Sequence, residues 1–125
     1  MRRLVPLLTL AVALTAGCNS DSTGPSGSVV GSYSLRTING NSLPYTVNYN
    51  TTINSELLTL NNDGTYTDVA YYNNGNSYVE SGYYVQNNNA ITFNDQTDGI
   101  TYQGSVSGSV LTEITNGYTA AYQKN

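Results

Sequence analysis

From Val29 to the C terminus, apolar and polar residues alternate in short runs and show no helical period. The runs are rich in Tyr, Thr, Val and Ile, which favour β-strands, and Asn, Asp and Gly separate them. Apolar residues spaced three or four apart do not persist over the length of a helix. The pattern predicts strands at 29–38, 45–50, 53–60, 65–72, 77–86, 90–94, 100–107, 110–115 and 118–124.

Asn and Gly occupy the gaps between these runs. Both residues tolerate the positive φ that hairpin turns require, so each gap predicts a tight antiparallel connection. The predicted turns are Asn39-Gly40, Asn62-Asp63-Gly64, Asn74-Gly75, Asn87-Asn88-Asn89, Asp98-Gly99, Gly108-Ser109 and Asn116-Gly117. The sequence therefore predicts an antiparallel, up-and-down meander of about eight to nine short strands.

Closure of this meander into a small barrel is expected, because closure removes the two exposed edge strands of a flat sheet. Glycines inside three strands mark bends or close approaches of another backbone; they are Gly31, Gly82 and Gly104. The inward face is predicted from residues two or four apart: Tyr33 with Leu35, Leu58 with Leu60, Ile91 with Phe93, and Tyr102 with Val106. The expected fold class is all-β, with an interior that holds side chains or one small ligand.

A different pattern precedes the strands. Arg2 and Arg3 form a basic start, residues 4–16 are apolar, and small residues lead to the only cysteine, Cys18. The apolar run is shorter than the roughly 20 residues that span a bilayer, so the layout is typical of a removable secretory signal. The alternatives are a secreted protein with one unmodified thiol and a buried N-terminal helix.

The run Leu14-Thr15-Ala16-Gly17-Cys18 resembles the lipobox of bacterial lipoproteins. This resemblance implies cleavage before Cys18, a diacylglyceryl group on its thiol, and stable anchoring, because two acyl chains suffice to hold a protein on a membrane. Asn19 in place of an aspartate favours the outer membrane in that family. The expected parts are a signal peptide over 1–17, a lipidated cysteine and flexible tether over 18–28, and a barrel domain over 29–125.

Charge excludes one class of partner. Removal of the signal would leave two cations, Arg36 and Lys124, against eight Asp and Glu residues, a formal net charge of −6. Nucleic acid is not an expected partner, because the exported part has no basic patch to neutralise phosphates.

The residues that most catalytic and metal sites require are scarce. The chain has no histidine, which excludes Ser-His-Asp and Cys-His catalytic sets, and it has no zinc-ligand cluster. Asn61-Asn62-Asp63-Gly64 superficially resembles a calcium loop, but turn chemistry explains it better because the spaced acidic ligands are absent. We therefore predict no catalytic residue, no cofactor and no metal site, and a protein that is not an enzyme.

Asp68 and Glu80 form the one remaining catalytic possibility, because two carboxyls about 5 Å apart on neighbouring strands can perform retaining glycoside hydrolysis. A two-residue turn between the strands would set Val69 opposite Glu80, whereas a five-residue loop would set Ala70 there. The favoured interpretation is that both are solvated charges that oppose edge pairing. For Glu80 and Glu113 the alternative to a surface position is an inward position at the barrel mouth.

Twelve tyrosines are the remaining functional signal, because a ring with a polar tip suits both a half-wet cavity and a recognition surface. The simpler explanation is that tyrosine forms strands and buries a large area. The expected inward tyrosines are Tyr33, Tyr66, Tyr84 and Tyr102. The candidate ligand-contacting residues are these four together with Glu80 and Glu113, the two carboxylates that have an inward alternative. If exposed, a cluster around one hairpin would form a contact patch; its members are Tyr71, Tyr72, Tyr78 and Tyr83.

Short motifs spread over 29–124 carry a second resemblance. They are Gly31-Ser32-Tyr33-Ser34-Leu35, Asn39-Gly40, Leu43-Pro44, Leu58-Thr59-Leu60, Asp63-Gly64-Thr65-Tyr66, Gly82-Tyr83-Tyr84, Ile91-Thr92-Phe93 and Tyr102-Gln103-Gly104. With them the chain resembles bacterial lipocalin-like lipoprotein domains, with Gly-x-Tyr where lipocalins proper have Gly-x-Trp. The resemblance implies a membrane-anchored barrel that binds a small hydrophobic or amphipathic ligand in the cell envelope. The alternative is an interaction module with a solid core that contacts, or inhibits, a protein or glycan.

Overall fold

The computed structural model describes residues 28–125, and its regular elements in this part are all β-strands. The predicted signal peptide and Cys18 lie outside the described residues. The nine longer strands agree with the predicted runs to within two residues at each end, and Asn41–Ser42 is an additional short strand. The strands are β1 Gly31–Ile38, β2 Asn41–Ser42, β3 Tyr45–Asn48, β4 Thr51–Leu60, β5 Thr65–Tyr72, β6 Ser77–Asn87, β7 Ala90–Asp95, β8 Ile100–Ser107, β9 Val110–Thr115 and β10 Tyr118–Lys124.

The sheet closes on itself. From β4 to β10 each strand pairs antiparallel with the next, and β10 then pairs with β1. β1 completes the ring by pairing with β4, from Gly31 opposite Leu60 to Ser34 opposite Leu57. Eight strands therefore form a closed antiparallel barrel, and the short strands β2 and β3 extend it beside β1 and β4. The predicted meeting of the first and last strands is confirmed.

The hairpin turns form where Asn and Gly predict them. In Asn39-Gly40 the φ angles are 52° and 80°, the pair of positive values that a type I′ turn requires. The same turn is tied to β10, because the Asn39 amide donates to Thr119 O at 2.7 Å and the Thr119 amide donates to Asn39 Oδ1 at 2.9 Å. Local turn chemistry therefore also helps to close the barrel.

An apolar core fills the end of the barrel at which β1 begins, called here the closed end. The Phe93 ring stacks on Tyr102 with centroids 4.9 Å apart and meets the edge of Tyr66 at 5.1 Å. Tyr33 donates its hydroxyl proton to Val29 O at 2.7 Å, so its polar tip is satisfied. The most deeply buried apolar side chains are Tyr33, Leu58, Leu60, Tyr66, Ile91, Phe93, Leu111 and Tyr122. The predicted inward pairs all contribute to this core, with Val106 partly buried.

Two glycines allow neighbouring backbones to approach each other closely. A Cβ atom on Gly82 would lie 1.9 Å from Asn94 O, and one on Gly104 would lie 3.0 Å from Thr112 O. Both separations are shorter than ordinary contacts of a Cβ atom. These positions therefore mark close approaches, as predicted, and a side chain at Gly82 would force the adjoining strand to move.

Candidate functional site

The opposite end of the barrel, called here the mouth, holds a cavity of about 250 Å³. Its walls combine apolar side chains with carboxylates. The apolar and aromatic part consists of Leu35, Ile38, Val47, Ile53, Ile100, Tyr102, Tyr118, Ala120 and Tyr122. The acidic part consists of Glu56, Asp68, Glu80, Asp98 and Glu113. We refer to this space as the barrel cavity.

Strand alternation explains why acidic side chains face inward. Glu113 lies two residues after the buried Leu111, and Asp68 lies two residues after the buried Tyr66, so each shares the inner face of its strand. Asp68 is only 5% exposed and Glu113 only 4% exposed. The favoured expectation that Asp68 and Glu113 are solvated at the surface is therefore wrong, because closure of the barrel places every second residue inside.

The turn between β5 and β6 brings Glu80 to the same interior. The Tyr72 amide donates to Asn76 O at 2.9 Å and the Gly75 amide donates to Tyr72 O at 3.2 Å, which defines a three-residue loop with a φ of 86° at Gly75. Asp68 then lies directly opposite Glu80. Neither the two-residue nor the five-residue loop occurs, and the surface interpretation of Glu80 is corrected because this register pairs it with an inward residue.

Three of the carboxylates, Glu56, Asp68 and Glu113, form what we call the inner cluster. Tyr122 donates its hydroxyl proton to Glu56 Oε2 at 2.7 Å, and the same hydroxyl lies 3.5 Å from Glu113 Oε1. Asp68 Oδ1 and Glu113 Oε2 are buried without a hydrogen-bond donor. One hydroxyl proton cannot satisfy three carboxylates, so the inner cluster has more acceptors than donors.

The inner cluster favours bound protons or a bound cation. Burial raises the pKa of Glu113 well above its ordinary value of 4.5, and the negative charge of Glu56 raises it further. Burial likewise raises the pKa of Asp68 well above 3.8, followed by the charge of Glu56. These carboxyls therefore ionise readily only when positive charge arrives beside them.

A second group, Glu80, Asp95 and Asp98, lies at the mouth and is called here the rim cluster. One carboxylate oxygen from each residue lies within 4.8 Å of the others. Asp95 Oδ1 accepts the amides of Thr97 at 2.9 Å and Asp98 at 3.1 Å, whereas its Oδ2 is buried without a donor. Tyr78 donates to Asp98 Oδ1 at 2.5 Å. Burial first, and then the hydrogen bond to Asp98, raise the pKa of Glu80 to about 8.

Neither cation in the described part of the chain compensates these carboxylates. Arg36 has an exposed side chain on β1. Lys124 lies at the closed end, where its Nζ donates to Ser28 O at 3.3 Å and sits 5.8 Å from the centroid of the Tyr33 ring. The cavity therefore combines concentrated negative charge with apolar walls.

The barrel wall is open beside the inner cluster. Pairing of β1 with β4 ends at Ser34 and Leu57, and a surface cleft of about 560 Å³ lies there. Leu35 and Glu56 border both this cleft and the barrel cavity. The cleft therefore adjoins the barrel cavity at Leu35 and Glu56, and Arg36 also lines it.

Three of the six expected ligand-contacting residues line the cavity: Tyr102, Glu80 and Glu113. The other three lie elsewhere, since Tyr33 and Tyr66 pack in the closed end and Tyr84 donates its hydroxyl to Asn61 O at 2.6 Å. That any of them contacts a ligand stays a prediction. The expectation missed Glu56, Asp68, Asp95 and Asp98. A signal for Glu56, Asp68 and Asp95 was their spacing of two residues from buried apolar positions.

The tyrosines around the β5–β6 hairpin divide between surface and core. Tyr71, Tyr78 and Tyr83 are exposed, whereas Tyr72 packs against the core. Val79, Tyr83 and Val85 share the outer face of β6, whereas Tyr78 lies on the same face as Glu80 and donates to Asp98 at the rim. The hairpin therefore presents an aromatic and aliphatic outer face.

The loop that superficially resembles a calcium site is a turn, as expected. Asp63 Oδ1 accepts the Thr65 amide at 3.0 Å and the Thr65 hydroxyl at 2.6 Å. These hydrogen bonds lower the pKa of Asp63 below its ordinary value of 3.8. Asp63 therefore stabilises the turn between β4 and β5.

Comparison with protein-family models gives no match, and no curated protein matches the sequence. Among residues 28–125, no helix has the length and apolar character needed to cross a bilayer. The barrel, its cavity and the two carboxylate clusters are therefore the basis for a functional proposal.

Proposed function

We propose that this protein is a lipocalin-like binding protein of the bacterial cell envelope, held on a membrane through lipidated Cys18, and that its barrel binds a small amphipathic cation without catalysing a reaction. The ligand class follows from the cavity. Its apolar walls suit a short hydrocarbon group, and its inner carboxylates suit an ammonium or similar head.

The observation that carries this proposal is the set of buried carboxylate oxygens without donors. Asp68 Oδ1 and Glu113 Oε2 have no partner among the described residues. A buried polar group without a hydrogen bond costs roughly 1–3 kcal/mol, and an ionised one costs more. An ammonium group offers three hydrogen-bond donors and a positive charge. It would therefore supply the missing hydrogen bonds and neutralise the ionised carboxylates.

The size of the cavity limits the ligand. At about 250 Å³ it is below the usual range of roughly 300–1,000 Å³ for pockets that hold drug-sized molecules. We therefore expect a short alkylamine or a molecule of similar size. A long fatty acid would place an anion among carboxylates and is not expected.

The anchoring part of the proposal is compatible with access to the cavity. Ser28, the first described residue, lies at the closed end, so the predicted tether joins the barrel opposite the mouth. Mass spectrometry of natively purified protein should find acyl groups on Cys18 and any ligand that copurifies. Cys18→Ser should move the protein from the membrane fraction to the soluble fraction, and continued sedimentation with membranes would contradict anchoring.

Three molecules with one hydrocarbon chain separate the contributions of charge and apolar contact. Hexylamine, hexanol and hexanoate should be titrated into metal-free protein by calorimetry at pH 7.5. We expect hexylamine to bind most tightly and hexanoate least, because only the amine compensates the inner cluster. Equal affinity for the amine and the alcohol would contradict a role for the carboxylates.

Matched variants locate the binding. Glu113→Gln and Asp68→Asn keep the shape of each side chain and remove its ability to ionise when the amine binds, so each should lower hexylamine affinity at least tenfold. Asp63→Asn removes an exposed carboxylate in a distant turn and should leave that affinity unchanged. An equal loss in all three variants would indicate a general effect of net charge.

A second candidate function rests on the exposed strip of Tyr71, Val79, Tyr83 and Val85. This outer face favours an interaction module whose barrel contacts a protein or glycan. Failure of all three six-carbon probes to bind, with loss of envelope cross-links after Tyr83→Ser, would favour this alternative. Retained cross-links together with amine binding would support the ligand-binding barrel.

A further inference from the structure

We propose that the rim cluster is a binding site for a hard divalent cation, with calcium as the best match. The ligands would be carboxylate oxygens of Glu80, Asp95 and Asp98. Their oxygens already lie within 4.8 Å of one another across two neighbouring strands and the loop that follows β7. Glu80 and Asp98 also line the barrel cavity, and Glu80 lies opposite Asp68, so the rim cluster adjoins the inner cluster but is made of different residues.

The position of Asp95 distinguishes this group from an ordinary acidic surface patch. Asp95 is 1% exposed, and its Oδ2 is buried without a donor. The other oxygen is held by the amides of Thr97 and Asp98. The loop thus holds the Asp95 carboxylate in place with one oxygen free and two further carboxylates close by. A bound cation would neutralise this group.

The surrounding contacts hold the three ligands in place before a cation arrives. The Gln96 amide donates to Ser81 O at 3.0 Å, and the Ser81 amide donates to Thr97 Oγ1 at 3.0 Å. These bonds fasten the 96–99 loop to β6, the strand that carries Glu80. Tyr78, on the same strand, donates to Asp98 and so orients that carboxylate.

The ligand chemistry selects the type of metal. All three groups are oxygen ligands, which hard cations prefer, whereas zinc and copper sites generally include nitrogen or sulfur ligands. Calcium accepts six to eight oxygens at about 2.3–2.6 Å in flexible geometry, so three carboxylates and water can complete its shell. Magnesium demands a stricter octahedron and usually keeps more of its water. Affinity is expected near 10⁻⁴ M, as in extracellular calcium modules.

The direct test is calcium titration of metal-free, full-length protein by calorimetry and by thermal unfolding. Wild type should bind one calcium ion. CaCl₂ at a concentration of ten times the dissociation constant should raise the Tm by about 5 °C or more. Asp98→Asn and Glu80→Gln should weaken calcium binding at least tenfold. No binding and no Tm shift in wild type up to 10 mM would overturn the proposal.

The control variant is Glu113→Gln, which removes a carboxylate of the inner cluster and leaves the rim cluster intact. Its calcium affinity should match wild type, while its hexylamine affinity should fall. If calcium affinity falls in Glu113→Gln and persists in Asp98→Asn, the ion occupies the inner cluster and the rim assignment is wrong. Failure of hexylamine to bind would leave the calcium result standing, so the two proposals fail separately.

A measurement on unmodified protein covers the case in which a variant misfolds. Manganese, which also prefers oxygen ligands, broadens nuclear magnetic resonance signals of nearby amides. Substoichiometric MnCl₂ should broaden the amides of residues 95–99 and 80 first, and added CaCl₂ should restore them. Uniform broadening, or broadening centred on residues 56 and 113, would contradict a site at the rim.

Discussion

Glu113→Gln tests the central electrostatic feature of the barrel, a carboxyl that is held neutral by burial. Glu113 is 4% exposed, and its Oε2 has no donor. Burial raises its pKa in the folded state well above the ordinary value of 4.5. The folded protein therefore binds this proton more tightly than the unfolded chain does.

The sign and magnitude follow from proton linkage. A group with a raised folded pKa contributes stability below its unfolded pKa of 4.5, and that stability is lost as the pH rises towards the folded pKa. Each pH unit costs about 1.4 kcal/mol while the folded carboxyl keeps its proton. Between pH 4.5 and the folded pKa, the ligand-free wild type should therefore lose stability through this group.

Glutamine has nearly the same shape and does not titrate in this range, so Glu113→Gln removes this loss. We expect the variant to be more stable than wild type at pH 7.5, by the stability that wild type has lost through Glu113 less roughly 1 kcal/mol for imperfect hydrogen bonds of the amide. At pH 4.5 this advantage should disappear, and the variant should be no more stable than wild type. Urea unfolding at both pH values, in EDTA and without ligand, measures it.

Asp63→Asn is the matched control for a change of one charge. Asp63 is exposed, and its pKa is lowered by hydrogen bonds with Thr65, so its contribution has the opposite sign and is lost as the pH falls. This variant should gain no stability at pH 7.5. If Glu113→Gln is no more stable than wild type at pH 7.5, or shows the same loss between pH 4.5 and 7.5, Glu113 is not the buried neutral group inferred from the structure.

Three further substitutions test packing and turn chemistry, each by urea unfolding at pH 7.5. Gly82→Ala should destabilise the barrel by at least roughly 1–3 kcal/mol, because its Cβ would lie 1.9 Å from Asn94 O; wild-type stability would show that the strands separate freely there. Tyr33→Ala should cost about 3–5 kcal/mol, and Tyr84→Ala less because Tyr84 is only partly buried; the reverse order would mean that the inner faces are misassigned. Asn39→Ala should cost about 1–2 kcal/mol through a positive φ and a lost hydrogen bond, and an unchanged midpoint would contradict the closing role of that turn.

Much of the barrel was predictable because its signals are local. Strand bounds follow from alternation of β-forming residues, and turns follow from Asn and Gly, whose backbones accept positive φ. The inward pairs, such as Tyr33 with Leu35, follow from the two-residue period of a strand. The short strand Asn41–Ser42 was missed because two polar residues carry no period.

The carboxylate clusters show what local pattern leaves open. Glu80 and Asp68 each share a strand face with tyrosines. The sequence does not say whether that face meets water, and the local pattern favours a solvated position. Asn and Gly permit several loop lengths. The three-residue loop of the structure is the one that places Asp68 opposite Glu80. The hydrogen bonding of these carboxylates depends on neighbours that are distant along the chain. Tyr122, for example, donates its hydroxyl proton to Glu56.

Local preferences are enough to give this chain short antiparallel strands with defined turns, because these preferences reside in single residues and their nearest neighbours. Closure of the barrel is what directs carboxylates from five strands into one interior, and neither described cation lines the barrel cavity. Desolvation and charge repulsion depend on distances across the closed barrel. The residues that interact there are far apart in the sequence, so no local pattern reveals these distances.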